Sequence, residues 1–344
     1  MPPIRGPLSK PAVFKKMVAY KRKLQAGEYG LQLMELNYNN KCNFICDHCF
    51  SRDLSETKRG RMGVEDVRRL ADQSHDLGVW QWHLQGGEPL LWPDLEQVLE
   101  AIGPDRFHIM ITTNGYFMTE AMAQRLATLG VDKISVSVDS MDAAVHDEFR
   151  RKQGSHAKAI EALFHAKAVG MQANVNTVVT HQNARSKDLE DIIDFAERGE
   201  FSMLLVVATS SGNWAGRTDM LVTDDDAAYL EDLRRRYPFL HRDLWSVLGC
   251  EVGCRTMNGL VYVTENGDLL SCPFIHIAVG NVLEEPLADI LKRGWRVKFF
   301  RDFTDKCLAG QNEHFITTYM SKAIGRKGPA PFSEVFSEAD LYDD

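Results

Sequence analysis

The sequence predicts an α/β fold: a partial (β/α)6 barrel followed by a small cysteine-rich region. Three observations carry this. Short apolar strands alternate with helical stretches from residue 31 to about residue 208. Strand–helix units of roughly 30 residues imply a parallel sheet with right-handed crossovers. Six units are too few for a closed eight-stranded barrel.

The candidate strands are Leu31–Asn37, Trp80–Gln85, His108–Thr112, Lys133–Val138, Met171–Val178 and Ser202–Ala208. The helices between them have recognisable ends. Met122, Leu126 and Leu129 form an apolar stripe that stops at Gly130. Ser155 is placed to N-cap a helix with the stripe Ile160, Leu163, Ala166 and Val169, which Gly170 ends. Ser186 begins another, carrying Leu189, Ile192, Ile193 and Ala196. After a connection at 211–217, a helix from Thr223 to about Arg236 starts with Asp224, Asp225 and Asp226 and ends with Arg234, Arg235 and Arg236. That order complements its dipole and needs no functional account.

Some strands show two unlike faces. Trp80, Trp82 and Leu84 alternate with Gln81, His83 and Gln85; Ile134, Val136 and Val138 alternate with Ser135, Ser137 and Asp139; Asn174 and Asn176 share a face. A strand covered on both sides reads as a nearly continuous apolar run. One such strand could be an edge with a solvated face; three together predict a polar lumen.

The expected organisation is an N-terminal arm (1–30), the barrel (31–215), a linker helix (216–247), the cysteine-rich region (248–310) and a C-terminal tail with little core of its own (311–344). In the fourth segment Leu260–Thr264, the turn Glu265-Asn266-Gly267 and Asp268–Ser271 read as a β-hairpin.

Composition narrows the function. A net charge of −8 argues against a broad phosphate-binding surface, so no nucleic-acid partner is expected. No run approaches the roughly 18 apolar residues of a membrane span, and no signal peptide is visible. The chain therefore reads as cytoplasmic, with its seven cysteines as thiols or metal ligands.

Cys42-Asn43-Phe44-Ile45-Cys46-Asp47-His48-Cys49 has the spacing C-x3-C-x2-C just after a strand. Three thiolates on one loop suit a [4Fe–4S] cluster with an open fourth iron. Structural zinc, the alternative, needs four ligands and usually shows paired C-x2-C units. Some 35 residues on stands Gln85-Gly86-Gly87-Glu88-Pro89. Its glycines allow close backbone approach to a ligand, and Glu88 offers a carboxylate to an ammonium group.

The loop, with aromatic His48 before its third cysteine, resembles the defining motif of the radical S-adenosylmethionine (AdoMet) superfamily. Gly86 to Pro89 resemble that family's GGEP motif, and Thr112-Thr113-Asn114-Gly115 its TNG segment. The resemblance implies that Cys42, Cys46 and Cys49 hold the AdoMet-binding cluster. It further implies that Gly86, Gly87, Glu88, Pro89, Thr113, Asn114, Ser137, Asp139, Asn174 and Asn176 surround the cofactor. The reduced cluster would cleave AdoMet to a 5′-deoxyadenosyl radical, which abstracts a hydrogen atom from an unactivated C–H bond.

Four cysteines remain: Cys250, Cys254, Cys272 and Cys307. Cys254 and Cys272 bracket the hairpin. The segment from Gly253 to Phe274 resembles the start of the SPASM/Twitch extension of that family, and Pro286–Trp295 resembles its following helix. The cysteine count allows one auxiliary [4Fe–4S] cluster, the shorter Twitch form. Cys250 is the expected fourth ligand; an open iron, or Glu313 or His314, is the alternative. Unrelated core cysteines would be the structural reading.

Relatives with such extensions mostly modify ribosomally made peptides. That is the expected substrate class, with a polar metabolite (an aminoglycoside precursor, sugar or nucleoside) as the alternative and an iron–sulfur electron carrier a remote third. A flavodoxin- or ferredoxin-type reductant and a separate peptide-recognition protein are the expected partners. Glu35 and His83, on the polar faces leading to the motifs, are the catalytic candidates.

Overall fold

The computed structural model describes residues 6, 9–28, 30–54, 59–242, 248, 250 and 252–343. All six expected strands form: β1 (Leu33–Leu36), β2 (Gln81–Leu84), β3 (His108–Thr113), β4 (Lys133–Ser137), β5 (Gln172–Val179) and β6 (Ser202–Val207). They lie side by side in chain order, all parallel, as an open partial barrel. Trp82, Leu84, Ile109, Ile111, Ile134, Val136 and Val175 are fully buried against the helices. Each such side chain contributes roughly 1.5–3 kcal/mol relative to exposure. The alternate positions, His83, Thr112, Ser135, Ser137, Asn174 and Asn176, face the other way. Period-two alternation thus separates a helix-covered face from a polar lumen.

Five further strands extend this sheet. β7 (Leu240–Arg242) pairs parallel to β6, inside the segment read as a linker. Three residues are too short for their periodicity to show. At the other edge the hairpin β8 (Leu260–Val263) and β9 (Asp268–Leu270) joins the barrel directly, since β8 runs parallel to β1 with Leu33 opposite Leu260. Beyond it lie β10 (Ile277–Asn281), which the hairpin-plus-helix expectation omitted, and β11 (Ala330–Pro331). The auxiliary region is therefore continuous with the barrel sheet.

The first and last segments also carry more structure than an arm and a tail; residues 1–5, 7–8, 29 and 344 lie outside the described residues. Helix Pro11–Gln25 lies beneath the barrel's N-terminal end, burying Val13 and Tyr20 beside Trp80. Lys16 donates to the carbonyls of His75 and Val79, and Lys10 pairs with Asp132. Lysines that look like surface charge in the sequence here satisfy backbone carbonyls. In residues 311–343, Phe315, Tyr319 and Phe336 are buried.

One expected cap differs. Helix Ser155–Ala168 begins at Ser155, and Asp147 caps it from the preceding helix Ala143–Arg150, accepting from the amides of Gly154 and His156 and from the Ser155 hydroxyl. Ser186 and Thr223 do cap their helices. No helix among the described residues is long and apolar enough to cross a membrane.

Candidate active site

At the C-terminal ends of the barrel strands, four elements grip the cysteine loop. The Gly86-Gly87 turn packs on the backbone just before Cys42. A Cβ at Gly87 would lie 2.2 Å from the Lys41 carbonyl oxygen, and one at Gly86 2.1 Å from Asn37 Oδ1. The close approach these glycines permit is thus to the loop itself. Glu88 N–H donates to the Lys41 carbonyl (2.8 Å), and Asn114 Nδ2 donates to Asn43 Oδ1 (2.9 Å). Arg151 forms a two-pronged pair with Asp47 (2.8 and 2.9 Å). Asn213, after β6, donates from Nδ2 to the Cys46 carbonyl and from its backbone to the Cys49 carbonyl.

Glu88 is the hub between the two motif loops. Its Oε1 accepts from the Thr113 hydroxyl (2.6 Å) and the Leu90 amide (3.1 Å), and its Oε2 accepts from the Asn114 amide (2.8 Å). Three donors leave a carboxylate with acceptor capacity to spare. Burial pushes its carboxyl up to about 6, against the pull of these bonds.

One cavity is walled by the three thiols of Cys42, Cys46 and Cys49 together with Gly86, Gly87, Glu88, Thr113, Asn114, Ser137 and Asn176. Three expected cofactor neighbours stand elsewhere. Pro89 opens a short 3-10 turn. Asp139 is occupied: Oδ2 accepts from Arg150 Nε and Oδ1 from the Val178 amide. Asn174 lies one layer deeper, its Nδ2 donating to Asn176 Oδ1. Arg150, which Asp139 holds, reaches the cavity instead. Sequence reasoning missed it because it sits on a helix eleven residues from its carboxylate partner.

Glu35 and His83 meet side by side across β1 and β2. His83 Nδ1 lies 2.9 Å from Glu35 Oε1, and Nε2 lies 2.7 Å from the hydroxyl of Thr112, a cavity residue. Both members of the pair are buried.

The second thiol group gathers unevenly. Burial raises the Cys272 thiol well above its ordinary value, and the thiols of Cys254 and Cys307 add to it. Phe274, two residues on, lines the cavity. A Cβ on Gly310 would lie 3.6 Å from Cys307 Sγ and 2.6 Å from the carbonyl oxygen of Ala208, another cavity residue. Burial raises the Tyr20 hydroxyl, Arg255 opposes this, and the Cys250 thiol adds to the rise. Glu313 and His314 are exposed on helix Glu313–Thr318.

The radical SAM superfamily description matches residues 36–196, and the iron–sulfur cluster-binding (SPASM) domain matches residues 254–311. The chain belongs to the radical SAM superfamily. An AdoMet-dependent heme synthase of Nitratidesulfovibrio vulgaris is 24% identical over 320 residues, covering 83% of this chain and 86% of that protein. The mycofactocin maturase MftC of Mycobacterium tuberculosis is 26% identical over 272 residues, 73% and 67% of the two chains. Streptococcus suis SuiB bound to precursor peptide SuiA has the same fold, with a TM-score of 0.63 at 18% identity over 83% of this chain and 71% of that one.

A radical SAM domain binds AdoMet and a [4Fe–4S] cluster, and a SPASM domain binds auxiliary clusters. The donors fit such groups. Cys42, Cys46 and Cys49 wall one cavity with Glu88, and three thiolates without a fourth protein ligand suit a [4Fe–4S] cluster with one open iron. The Cys42 thiol, pushed up to about 12 chiefly by burial, also needs a cation beside it to exist as thiolate.

Proposed function

We propose that this radical SAM enzyme abstracts a hydrogen atom from an unactivated C–H bond of a ribosomally synthesised peptide and passes the product electron to an auxiliary cluster. One observation carries the reading. The cavity lined by Cys42, Cys46 and Cys49 also takes in Phe274, two residues after Cys272, and Ala208, whose carbonyl packs on Gly310 next to the Cys307 thiol. A substrate there would sit between two metal centres.

When bound, AdoMet and the reduced cluster supply the radical that takes the hydrogen atom. Cys42, Cys46 and Cys49 would hold that cluster. Glu88 would receive the cofactor's ammonium group on Oε2, with Thr113 and Asn114 fixing the carboxylate. Ser137 and Asn176 would face its sugar, and Gly86 and Gly87 shape the loop. Pro89, Asp139 and Asn174 act one step behind: Asp139 orients Arg150, Asn174 orients Asn176, and Pro89 stiffens the turn after Glu88. Cys254, Cys272 and Cys307 would hold the auxiliary cluster, with Cys250 as its fourth ligand. Glu35 and His83 form the acid–base pair nearest the lumen. The enzyme works in the cytoplasm, fed by a flavodoxin- or ferredoxin-type reductant and, for a peptide, helped by a separate recognition protein.

The peptide class draws on MftC and the SuiB–SuiA complex. The metabolite class draws on the heme synthase relative, which aligns along more of the chain. The test is anaerobic co-expression with each short reading frame beside the gene, followed by mass spectrometry. A peptide lighter by two hydrogens, with 5′-deoxyadenosine released in proportion, supports the reading. Turnover confined to a low-mass metabolite transfers it to the second class; no 5′-deoxyadenosine at all leaves an electron carrier.

A further inference from the structure

The turn after β6 touches the cysteine loop at three points. Asn213 donates from Nδ2 to the Cys46 carbonyl (2.9 Å) and from its backbone to the Cys49 carbonyl (3.0 Å). Gly212 has φ +56°, and a Cβ there would lie 2.2 Å from the Cys49 carbonyl oxygen and 2.5 Å from Phe50 Cα. The two backbones pack with no side chain between them. From the other flank Arg151 grips Asp47, and His48 stacks on Phe149 with ring centroids 4.4 Å apart, beside Trp214. The Cys46–Cys49 half of the loop is therefore clamped. The Cys42 half is held separately, by the Glu88 amide on the Lys41 carbonyl and by Asn114 on Asn43.

We propose that Asn213, seated by Gly212, is a positioning residue that pins two of the three cluster thiols and tunes how readily their cluster is reduced. The proposal rests on the reading that Cys42, Cys46 and Cys49 hold the AdoMet cluster. Its physical basis is dipolar. Asn213 presents two N–H groups to the peptide carbonyls of cluster ligands, placing positive ends near a centre that gains negative charge on reduction. Outer donors orient the ligands, and the charge around a cluster shifts its potential. Asn213→Ala removes the side-chain donor and keeps the backbone one. Asn213→Asp replaces the donor by a carboxylate facing a carbonyl.

The test measures iron content, the midpoint potential of the AdoMet cluster by electron paramagnetic resonance, and 5′-deoxyadenosine release from AdoMet with dithionite. With iron content held, the potential is expected to fall in the order Asn, Ala, Asp, and 5′-deoxyadenosine release to drop about tenfold or more in the Asp variant. Gly212→Ala, which forces a side chain into the Cys49 carbonyl, is expected to lose the iron of this cluster while the fold persists. Wild-type potentials in both fully loaded Asn213 variants would overturn the proposal. If Asn213→Asp does not fold, Asn213→Ser provides the potential in its place. A Cys46→Ala protein that keeps all its iron would instead refute the cluster reading, so the two failures are distinguishable.

Discussion

Thr113 donates its hydroxyl proton to Glu88 Oε1 over 2.6 Å, joining the loops that follow β2 and β3. That bond has a pH consequence. Burial raises the Glu88 carboxyl to about 6, so the folded protein holds its proton more tightly than the unfolded chain does. The stability this contributes is full below the unfolded value near 4.5 and is lost as pH rises through about 6. Cofactor binding runs the other way, because only the carboxylate matches an ammonium group. AdoMet affinity of the cluster-loaded protein should fall as pH drops below about 6. Thr113→Val removes a bond that lowers the value, so the fall should move to higher pH. Calorimetric titration across this range checks it; a flat profile in both proteins would take Glu88 out of cofactor binding.

The two thiol groups should separate by iron count. Full loading corresponds to about eight irons per chain for two [4Fe–4S] clusters. Cys46→Ala is expected to leave about four and to abolish 5′-deoxyadenosine release; Cys272→Ala is expected to leave about four and retain it. Cys250→Ala tests the fourth ligand: a count that stays near eight leaves Cys250 outside the cluster. A drop to four in that variant would place Cys250 among the ligands.

Much of this site was legible because its chemistry is local. Cys42 to Cys49 and Gly86 to Pro89 are contiguous, and each follows a strand whose alternation shows in the residues themselves. What was illegible is non-local. Nothing near Asp139 in the chain says that Arg150 will occupy its carboxylate. The Asn213 amide reads as an ordinary loop residue until the sheet brings the end of β6 opposite the end of β1. β7 and β10 failed for a different reason: the first is too short for its periodicity to count, and the second, Ile-Ala-Val-Gly-Asn, alternates large with small rather than apolar with polar. The roles of Lys10 and Lys16 were hidden because a lysine's charge says nothing about which carbonyls it will reach.

The buried Glu35–His83 pair makes a stability prediction independent of any substrate. Glu35 Oε2 has no hydrogen-bond partner among the described residues, so the carboxylate leans on His83 through its other oxygen. Removing one partner leaves a buried polar group unsatisfied, at about 1–3 kcal/mol. Glu35→Ala and His83→Ala should each destabilise by that order. The double variant should lose less than their sum, with a coupling of about 0.5–3 kcal/mol. Urea denaturation of the four proteins measures it. Strict additivity would mean that the pair is close in space without being coupled in energy.

The final segment decides whether the auxiliary region stands without it. Phe315 is fully buried, with its ring centroid 5.2 Å from Phe299 and 5.3 Å from Tyr319; Tyr319 in turn stacks on Phe336, and Phe336 meets Phe300 at 5.5 Å. Phe299 and Phe300 belong to the segment before Cys307, so this aromatic cluster anchors the chain that carries that thiol. The backbone adds ties: the Ala330 amide donates to the His276 carbonyl and the Tyr342 amide to the Arg296 carbonyl. Truncating Phe315 to alanine should cost about 3–5 kcal/mol. A chain ending at residue 310 loses all of these contacts at once. It is expected to keep the barrel's circular dichroism and the iron of the Cys42–Cys49 loop, but to lose the iron bound through Cys307. Limited proteolysis should then cut first after β9. A truncated protein that retains its full iron content would show that the cluster-binding segment holds its shape unaided, and that the aromatic cluster merely covers it.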